Sequence, residues 1–233
     1  MRRLYLRSRR VQWIVAAALF LGGIGLIVRV LLAVRFPWIL ATVPLLLSTY
    51  QLSITPAFRL LGIYRYHSPM LKVTIRTSRV YEIHGGTNFD YLLNLRWRDR
   101  GPVAARRVMT LYLEGLLDIA DRVDEGTLPR SILITATSYF FRGESAERLG
   151  FTILEPSLRL RLNLVLNLLD LILMYSFTRG RLAFPQILRV RQAVVRGDRL
   201  LARRASIEAM MRTLQRAPAG DTTDDAGGKA LCA

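Results

Sequence analysis

Two long stretches near the start of the chain contain no charged residue. They cover 11–28 and 36–58, and Arg29 and Arg35 stand between them. A helix needs about 20 mainly apolar residues to cross a bilayer, and both stretches fall within the usual range around that length. The pattern therefore predicts a two-helix transmembrane hairpin over residues 11–58, with a tight turn around the two arginines.

A cleaved signal peptide is the alternative interpretation of this segment, because a basic start is followed by an apolar core. Ser8-Arg9-Arg10 is also similar to a twin-arginine start. No small-x-small cleavage site follows, however, and a second apolar stretch comes directly after the first. We therefore predict that the hairpin stays in the protein as an anchor.

Basic residues are concentrated outside the predicted hairpin. Residues 1–10 form a basic N-terminus with five arginines and no acid, and further basic residues follow residue 58. Only Arg29 and Arg35 lie in the predicted turn. Since Lys and Arg near the ends of membrane helices favour the cytoplasmic side, both ends of the chain are predicted to lie in the cytoplasm. The predicted location is the inner (cytoplasmic) membrane.

The central part of the chain alternates between the periodicities of strands and helices. Alternating apolar and polar residues predict strands in Met70–His84, Tyr91–Trp97, Ile132–Thr137 and Phe151–Leu154. Helical spacing predicts helices over Val103–Val123 and Glu144–Leu149, the second capped by Gly150. This order predicts a cytoplasmic α/β domain over residues 66–178, a small mixed sheet with helices.

A further apolar stretch, 162–177, closes this domain. Asn163, Asn167 and Asp170 recur in it at helical spacing, so one face of the helix carries all three polar groups. The stretch is short for a membrane span and contains a carboxylate, which favours an interfacial or core helix over a third crossing. The polar face is either the lining of a groove or the solvent side of the helix.

Residues 179–216 contain ten arginines and no lysine, with an apolar stripe at helical spacing. This pattern is typical of membrane-surface helices and predicts two basic amphipathic helices divided at Gly197. Residues 217–233 are small and polar, and are predicted to be a disordered tail. The predicted fold class is therefore α/β, preceded by a two-helix transmembrane hairpin and followed by basic amphipathic helices.

Composition narrows the class of protein. The chain has 233 residues, of which 22% are charged, too many for a polytopic transporter. Cys232 is the only cysteine, so no disulfide can form within the chain. Lys72 and Lys229 are the only lysines, so the other 32 of the 34 basic residues are arginines.

The formal net charge of +17 indicates a partner that carries phosphate. The basic residues adjoin the predicted membrane segments and have no interleaved aromatic residues, a pattern that favours anionic lipid head groups over nucleic acid. The membrane is therefore the predicted partner. The sequence identifies no protein partner and no cofactor.

The densest polar segment lies between two predicted strands, and a second set of hydroxyls follows a later strand. The candidate ligand-binding residues are His84, Gly85, Gly86, Thr87, Asn88, Asp90, Thr135 and Thr137. Glycines let a backbone approach a phosphate, and the polar side chains could supply a proton or a hydroxyl. An ordinary glycine turn and plain strand-end hydroxyls explain the same residues. No metal site is predicted, and no catalytic residue is identified.

Ile83-His84 after a strand, Thr135, and the block Ala146-Glu147-Arg148-Leu149-Gly150-Phe151 resemble the YkoP-like domain of bacteria. The resemblance covers residues 70–177. That family has no settled activity, so it supplies no catalytic residues. Some of its members are fused to polysaccharide deacetylases, which implies a cell-envelope context.

Arg98-Asp99-Arg100-Gly101-Pro102-Val103 and Arg148-Leu149-Gly150-Phe151 are similar to two segments of acyl-CoA N-acetyltransferases. In that family, amides of the first segment hold the pyrophosphate of CoA at a helix start. Here Val103 stands where glycine or alanine belongs, and Pro102 has no amide hydrogen.

These patterns together lead us to expect a membrane-anchored bacterial protein with a cytoplasmic α/β domain. The expected role is accessory or binding, in cell-envelope metabolism. The alternative is an acetyltransferase-like enzyme that uses acyl-CoA. The sequence does not decide whether the protein is an enzyme.

Overall fold

The computed structural model of the chain describes residues 8–34, 38–77, 79–138, 143–187 and 190–216. The predicted tail at 217–233 and residues 1–7 of the basic N-terminus lie outside these ranges. The helices are α1 (Arg9–Ala33), α2 (Trp38–Leu60), α3 (Asn88–Asn94), α4 (Pro102–Asp124), α5 (Gly143–Arg148), α6 (Leu158–Leu166), α7 (Leu168–Arg179), α8 (Gly197–Ala202) and α9 (Arg204–Arg216). The strands are β1 (Arg65–Ser68), β2 (Leu71–Arg76), β3 (Val80–Gly85), β4 (Leu133–Ser138), β5 (Thr152–Leu154) and β6 (Arg191–Arg196).

The strands form one mixed sheet in the order β1-β2-β3-β4-β6-β5. β3 and β4 are parallel, and every other neighbouring pair is antiparallel. The connection between the two parallel strands contains α3 and α4, because parallel strands need a long crossover. The predicted mixed α/β class is confirmed, and so are the strands β2 to β5 and the helices α4 and α5.

Helix α4 is the central helix of the core. It starts at Pro102, whose missing amide hydrogen costs nothing in a first turn, directly after Gly101 at φ +85°. Val108, Leu116 and Ile119 recur along its length at helical spacing and are buried. The core therefore sits between this helix and the sheet.

One glycine allows α4 to approach the sheet closely. A Cβ built at Gly115 would lie 2.6 Å from Cβ and Cδ2 of Leu71 on β2, and 3.1 Å from Oγ of Ser68. Real side chains do not approach to that distance, so a larger residue would have to push the helix away from the strand. The helix–sheet distance thus depends on the absence of a side chain at this position.

The strand predicted over Tyr91–Trp97 is wrong. Residues Asn88–Asn94 form α3, and the chain continues through a 3₁₀ turn at Trp97–Asp99. The helix forms because Thr87 and Asp90 make a capping box, which satisfies amide hydrogens at the helix start. This local hydrogen bonding outweighs the apolar alternation that suggested a strand.

Two basic helices are predicted over 179–216, but the described helices that begin within this range, α8 and α9, both start after residue 196. Arg191–Arg196 is strand β6, inserted between β4 and β5, so the sheet includes residues beyond 178. Ala193 and Val195 are buried, and the residues that alternate with them are partly buried or exposed. A short stretch of this kind is compatible with both the helical and the strand periodicity. Hydrogen bonding to β4 makes it a strand.

The apolar stretch 162–177 is not one helix. It is divided between α6 and α7, whose axes differ by 73° across the break at Asn167.

The short helix predicted over Glu144–Leu149 is present as α5, and Gly150 forms its predicted left-handed cap with φ +85°.

Among the described helices, α1 is the one that is long and apolar enough to cross a membrane by itself. The bent pair of α6 and α7 meets the same composition criterion only if the two are counted as one span. Ala16 and Gly23 are the buried residues of α1, and its other residues are exposed or partly exposed. An apolar helix in the core of a water-soluble protein is normally buried. The helix is therefore compatible with membrane association near the N-terminus.

Helix α1 continues through Arg29 to Ala33, so the connection to α2 starts later than predicted. The two helices pack closely: the site of a Cβ at Gly23 is filled by the side chain of Ser53. Helix α2 contains Pro44 and Pro56. Ile54 and Thr55 in its second half are buried against the rest of the protein.

We expect Gly115→Ala to destabilise the protein by about 1 to 3 kcal/mol, because the added methyl group overpacks the contact with Leu71. In most helix interiors the same exchange stabilises by up to about 1 kcal/mol. Gly25→Ala is the matched control, since nothing lies within 4 Å of a Cβ at that helical glycine. Thermal unfolding in detergent measures both. Equal effects of the two exchanges would contradict the close approach.

Candidate functional site

A buried group of polar side chains lies where α2, α3, α7 and β2 meet. We call it the polar cluster, and its members are Ser48, Lys72, Asn88, Asp90 and Asp170. Lys72, Asp90 and Asp170 are all buried, with 5%, 0% and 3% of their surface exposed. Charged side chains are rarely buried to this degree unless they are paired, so the cluster requires a physical explanation.

Lys72 is the cation of the polar cluster. It lies on β2, and its Nζ is 4.0 Å from the centre of the Tyr64 ring, a cation–π contact. Burial lowers the pKa of Lys72 to about 8, although the charges of Asp90 and Asp170 favour the protonated form. An arginine here would stay charged, whereas a lysine can release its proton when buried.

Asp90 is the most enclosed member of the cluster. Its Oδ2 accepts hydrogen bonds from the backbone amide of Thr87 at 2.8 Å and from the Thr87 hydroxyl at 2.9 Å. The hydroxyl of Tyr66 donates to the same carboxyl group at 3.0 Å. Burial raises the pKa of Asp90, while the bonds from Thr87 and Tyr66 and the charge of Lys72 oppose that rise.

Asp170 ties three helices together. It lies on α7 and accepts a hydrogen bond from Oγ of Ser48 on α2 at 2.5 Å. It also accepts one from the side-chain amide of Asn88 on α3. One helical turn away, the side chain of Gln51 donates to Asn167. The predicted polar face over 162–177 is therefore divided: Asn163 on α6 is exposed to solvent, whereas Asn167 and Asp170 bind Gln51 and Ser48 of α2.

A large cavity lies beside the polar cluster, with a volume of about 540 Å³. Such a volume is typical of sites for small molecules, which span about 300–1,000 Å³. Ser48 and Asn88 belong both to the cavity wall and to the cluster. The other lining residues are mainly apolar and come from α2, α3, α7 and the segments around them: Leu52, Tyr91, Leu92, Leu95, Trp97, Arg100, Leu173, Met174, Ser176, Phe177, Gly180, Arg181 and Leu182.

Two arginines of the cavity are brought together by a glycine pair. Arg100 precedes Gly101, and Arg181 follows Gly180. A Cβ built at Gly180 would lie only 3.1 Å from Cα of Gly101, so the two backbone segments touch. The amide of Gly101 also donates to the carbonyl oxygen of Phe177 at 2.8 Å. The backbones of Arg100 and Arg181 are therefore close together, and both residues line the cavity.

The structure separates the residues of the predicted ligand site. Asn88 and Asp90 join the polar cluster, and Thr87 contributes through its bonds to Asp90. His84 is half-buried, and its Nε2 lies 3.1 Å from a carboxylate oxygen of Glu82. The segment therefore acts as a helix cap that also supplies part of a buried site.

The two glycines of this segment are required for space and not for backbone conformation, since neither has a positive φ. A side chain at Gly85 would collide with the hydroxyl of Tyr112. One at Gly86 would come within 2.7 Å of Sδ of Met70. Their substitution is therefore expected to disturb packing.

Thr135 and Thr137 lie elsewhere, on the central strand β4, where they pair with Val194 and Gln192 of β6. Thr137 borders a void of about 10 Å³, which is no larger than the space for one water molecule. These two residues are not brought together with the polar cluster.

Sequence analysis missed a second buried network around His67. The imidazole is completely enclosed, with Nδ1 2.5 Å from Oδ2 of Asp118 and Nε2 2.7 Å from the hydroxyl of Tyr81. Arg122 donates to the same oxygen of Asp118 at 2.9 Å. Burial lowers the pKa of His67 below 6.5, although Asp118 acts in the opposite direction. The network joins β1, β3 and α4.

Lys72, Asp170 and Ser48 were also not identified as site residues. Two signals were available: a lysine in a chain that otherwise uses arginine almost throughout, and the carboxylate of Asp170 within an apolar helical stretch. Their proximity depends on contacts across 122 positions of sequence, as between Ser48 and Asp170. Within the described ranges, no group of three or more His, Cys, Asp or Glu side chains is arranged to hold a metal ion.

The segment that is similar to the CoA-binding loop of acetyltransferases follows α3 and a 3₁₀ turn, where that family has a strand. The amide of Gly101 is already bonded to Phe177, and Pro102 has none to offer.

The fold and site define a mixed α/β protein with an exposed apolar helix at its N-terminal end and a largely apolar cavity beside a buried charge cluster. The chain matches no protein-family model, no curated protein and no solved structure.

We expect Asp90→Ala to destabilise the protein by about 3 to 5 kcal/mol, because it leaves Lys72 with one counter-charge fewer and removes the cap of α3. Asp90→Asn retains an acceptor for the cap and should cost less. Adding Lys72→Met to Asp90→Ala should recover part of the loss. Urea unfolding in detergent measures these variants and Lys72→Met alone, and strictly additive effects of Asp90→Ala and Lys72→Met would show that the two groups are not coupled.

The lowered pKa of His67 predicts a pH dependence of stability. The folded state disfavours the imidazolium ion, so this contribution is complete above pH 6.5 and is lost as the pH falls below 6.5 towards the lowered folded value. The slope reaches at most about 1.4 kcal/mol per pH unit. Urea unfolding midpoints of the wild type and His67→Asn, measured across this range, isolate the effect. Parallel pH profiles would contradict it.

Proposed function

We propose that the chain is a membrane-anchored bacterial protein of the cell envelope, in which α1 and α2 cross the inner membrane as a hairpin. Both ends of the chain lie in the cytoplasm. The α/β domain is held at the anionic surface of the cytoplasmic leaflet, where it has a binding or accessory role.

The observation that carries this proposal is the position of α2 between the two parts of the protein. On one side it packs on the exposed apolar helix α1 through the contact of Gly23 with Ser53. Small residues at such contacts are typical of helix pairs in membranes. On the other side, Ser48 and Gln51 bind Asp170 and Asn167 of α7. The domain and the apolar hairpin are therefore joined without a linker.

The charges of the hairpin support a complete crossing. Arg29 and the neighbouring Arg35 are the basic residues near the end of α1, and an arginine is costly in the hydrocarbon core. Crossing allows both to reach the opposite head groups. The 18 uncharged residues 11–28 cover about 27 Å as a helix, nearly the thickness of a hydrocarbon core of about 30 Å.

Because α2 contacts the domain from Ser48 onwards, a crossing hairpin requires that the neighbouring parts of the domain enter the cytoplasmic leaflet. The surface around α6 and α7 has the necessary character. Its large apolar side chains are exposed: Leu158 by 83%, Leu162 by 58%, Leu173 by 50%, Leu182 by 73% and Phe184 by 67%. An apolar patch of this kind on a folded domain marks a contact surface for membrane or protein.

Arginines beside this patch favour the membrane as the contact. Two arginines adjoin the apolar residues: the exposed Arg181, and Arg161 on α6, which lies 3.7 Å from a carboxylate oxygen of Glu155. Part of the basic charge elsewhere is compensated within the protein, as in the ion pair of Arg191 with Glu155 and that of Arg204 with Asp121. The remaining arginines can bind lipid phosphates, each contributing about 1 kcal/mol near an anionic surface.

The topology can be tested by labelling intact cells with a membrane-impermeant thiol reagent. The chain has a single cysteine, so Cys232→Ser gives a background without thiols. We expect Arg35→Cys in this background to be labelled from outside, and Arg130→Cys, in the exposed loop after α4, to be protected until the cells are opened. Wild-type Cys232 should be protected as well. Labelling of Arg130→Cys in intact cells would contradict the cytoplasmic position of the domain.

A further inference from the structure

We propose that the cavity beside the polar cluster binds one acyl chain of an anionic phospholipid from the cytoplasmic leaflet, with the phosphate held by Arg100 and Arg181. The inference rests on the proposed membrane anchoring, because the lipid would enter sideways from the leaflet. It adds a ligand class and a site to that function.

The walls of the cavity suit a hydrocarbon chain. Leu95, Met174 and Phe177 line its inner part, and Leu95 and Met174 are almost fully buried. The volume of about 540 Å³ leaves room for an extended apolar group. A cavity lined in this way gains free energy by exchanging water for hydrocarbon.

The polar residues of the cavity wall do not oppose an apolar ligand. The hydroxyl of Ser48 and one N–H of the Asn88 side chain both donate to Asp170, so each of these two donors already has a partner within the protein. A hydrocarbon chain would therefore not deprive either donor of its partner, which is the usual cost of placing an apolar group against a polar surface.

The rim of the cavity faces the proposed membrane surface. Leu92, Trp97, Leu173 and Leu182 line the cavity and are each exposed by at least half. They are continuous with the apolar patch around α6 and α7. An opening bordered by exposed leucines and a tryptophan lets a lipid chain leave the leaflet without crossing water.

The charge of the rim selects the head group. Among the described lining residues there is no Asp or Glu, and the described part of the chain places no carboxylate within ion-pair distance of Arg100 or Arg181. Arg100 and Arg181 both line the cavity, and a guanidinium group binds a phosphate through charge-assisted hydrogen bonds. The contact of Gly101 with Gly180 fixes the spacing of their backbones. Together, an apolar cavity and a paired cationic rim match an anionic lipid better than a free anion or a neutral lipid.

The test uses the full chain in phosphatidylcholine nanodiscs that contain phosphatidylglycerol with a photoreactive diazirine in one acyl chain. After illumination, peptide mass spectrometry locates the crosslinks. We expect them on the lining segments 88–97 and 173–182. The same diazirine chain on phosphatidylcholine should label these segments about tenfold less, which corresponds to about 1.4 kcal/mol of head-group selectivity.

Two pairs of variants separate the cavity from its surroundings. Replacing both Arg100 and Arg181 by Gln should lower labelling about tenfold. Arg96→Gln with Arg98→Gln removes the same charge from exposed positions outside the cavity and should leave labelling unchanged. Leu173→Trp on the rim should block the chain, whereas Leu158→Trp on α6, outside the cavity, should not.

Resistance of the wild type to carbonate extraction from membranes is measured in parallel. Extraction of the wild type would overturn the proposed anchoring. Stable integration with crosslinks confined to α1 and α6, or with equal labelling by the two lipids, would overturn the cavity site alone. Equal losses in the two arginine pairs would also overturn it, since they would reflect surface charge only.

Discussion

The burial of Lys72 with Asp90 and Asp170 is the constraint on which the rest of this structure depends. Each of these ions loses water on folding, a cost that only close partners offset. Thr87 and Tyr66 satisfy Asp90, while Ser48 and Asn88 satisfy Asp170. Because the partners come from α2, α3, α7 and β2, the cluster can form only when these elements are assembled together. Its geometry therefore specifies one arrangement of the apolar helices against the sheet.

The same arrangement produces the surface that distinguishes this protein. Ser48 and Gln51 attach α2 to the domain through Asp170 and Asn167 of α7, and exposed apolar residues lie on α6 and α7. The break at Asn167 turns α6 away from α7 and exposes one face of it. The cavity lies between α2, α3 and α7, and Ser48 and Asn88 in its wall bind Asp170.

Most of the central elements could be predicted from the sequence, because their patterns are local. The stripe of α4 with Pro102 at its start, the alternation in β2 and the glycine cap after α5 each depend on neighbours within a few residues. The errors occurred where two local patterns competed. The capping box of Thr87 and Asp90 decided α3, and pairing with β4 decided that Arg191–Arg196 is a strand.

Sequence alone determined the apolar N-terminal helix, the mixed α/β class and the excess of arginine, since these follow from composition and period. It also pointed to Asn88 and Asp90, because a polar segment with two glycines is conspicuous. It could not determine that Lys72 and Asp170 join them, or that Ser48 lies 2.5 Å from an aspartate 122 residues away. Only the tertiary structure decided these contacts, because hydrogen bonds and charges act over a few ångströms in space, whatever the separation along the chain.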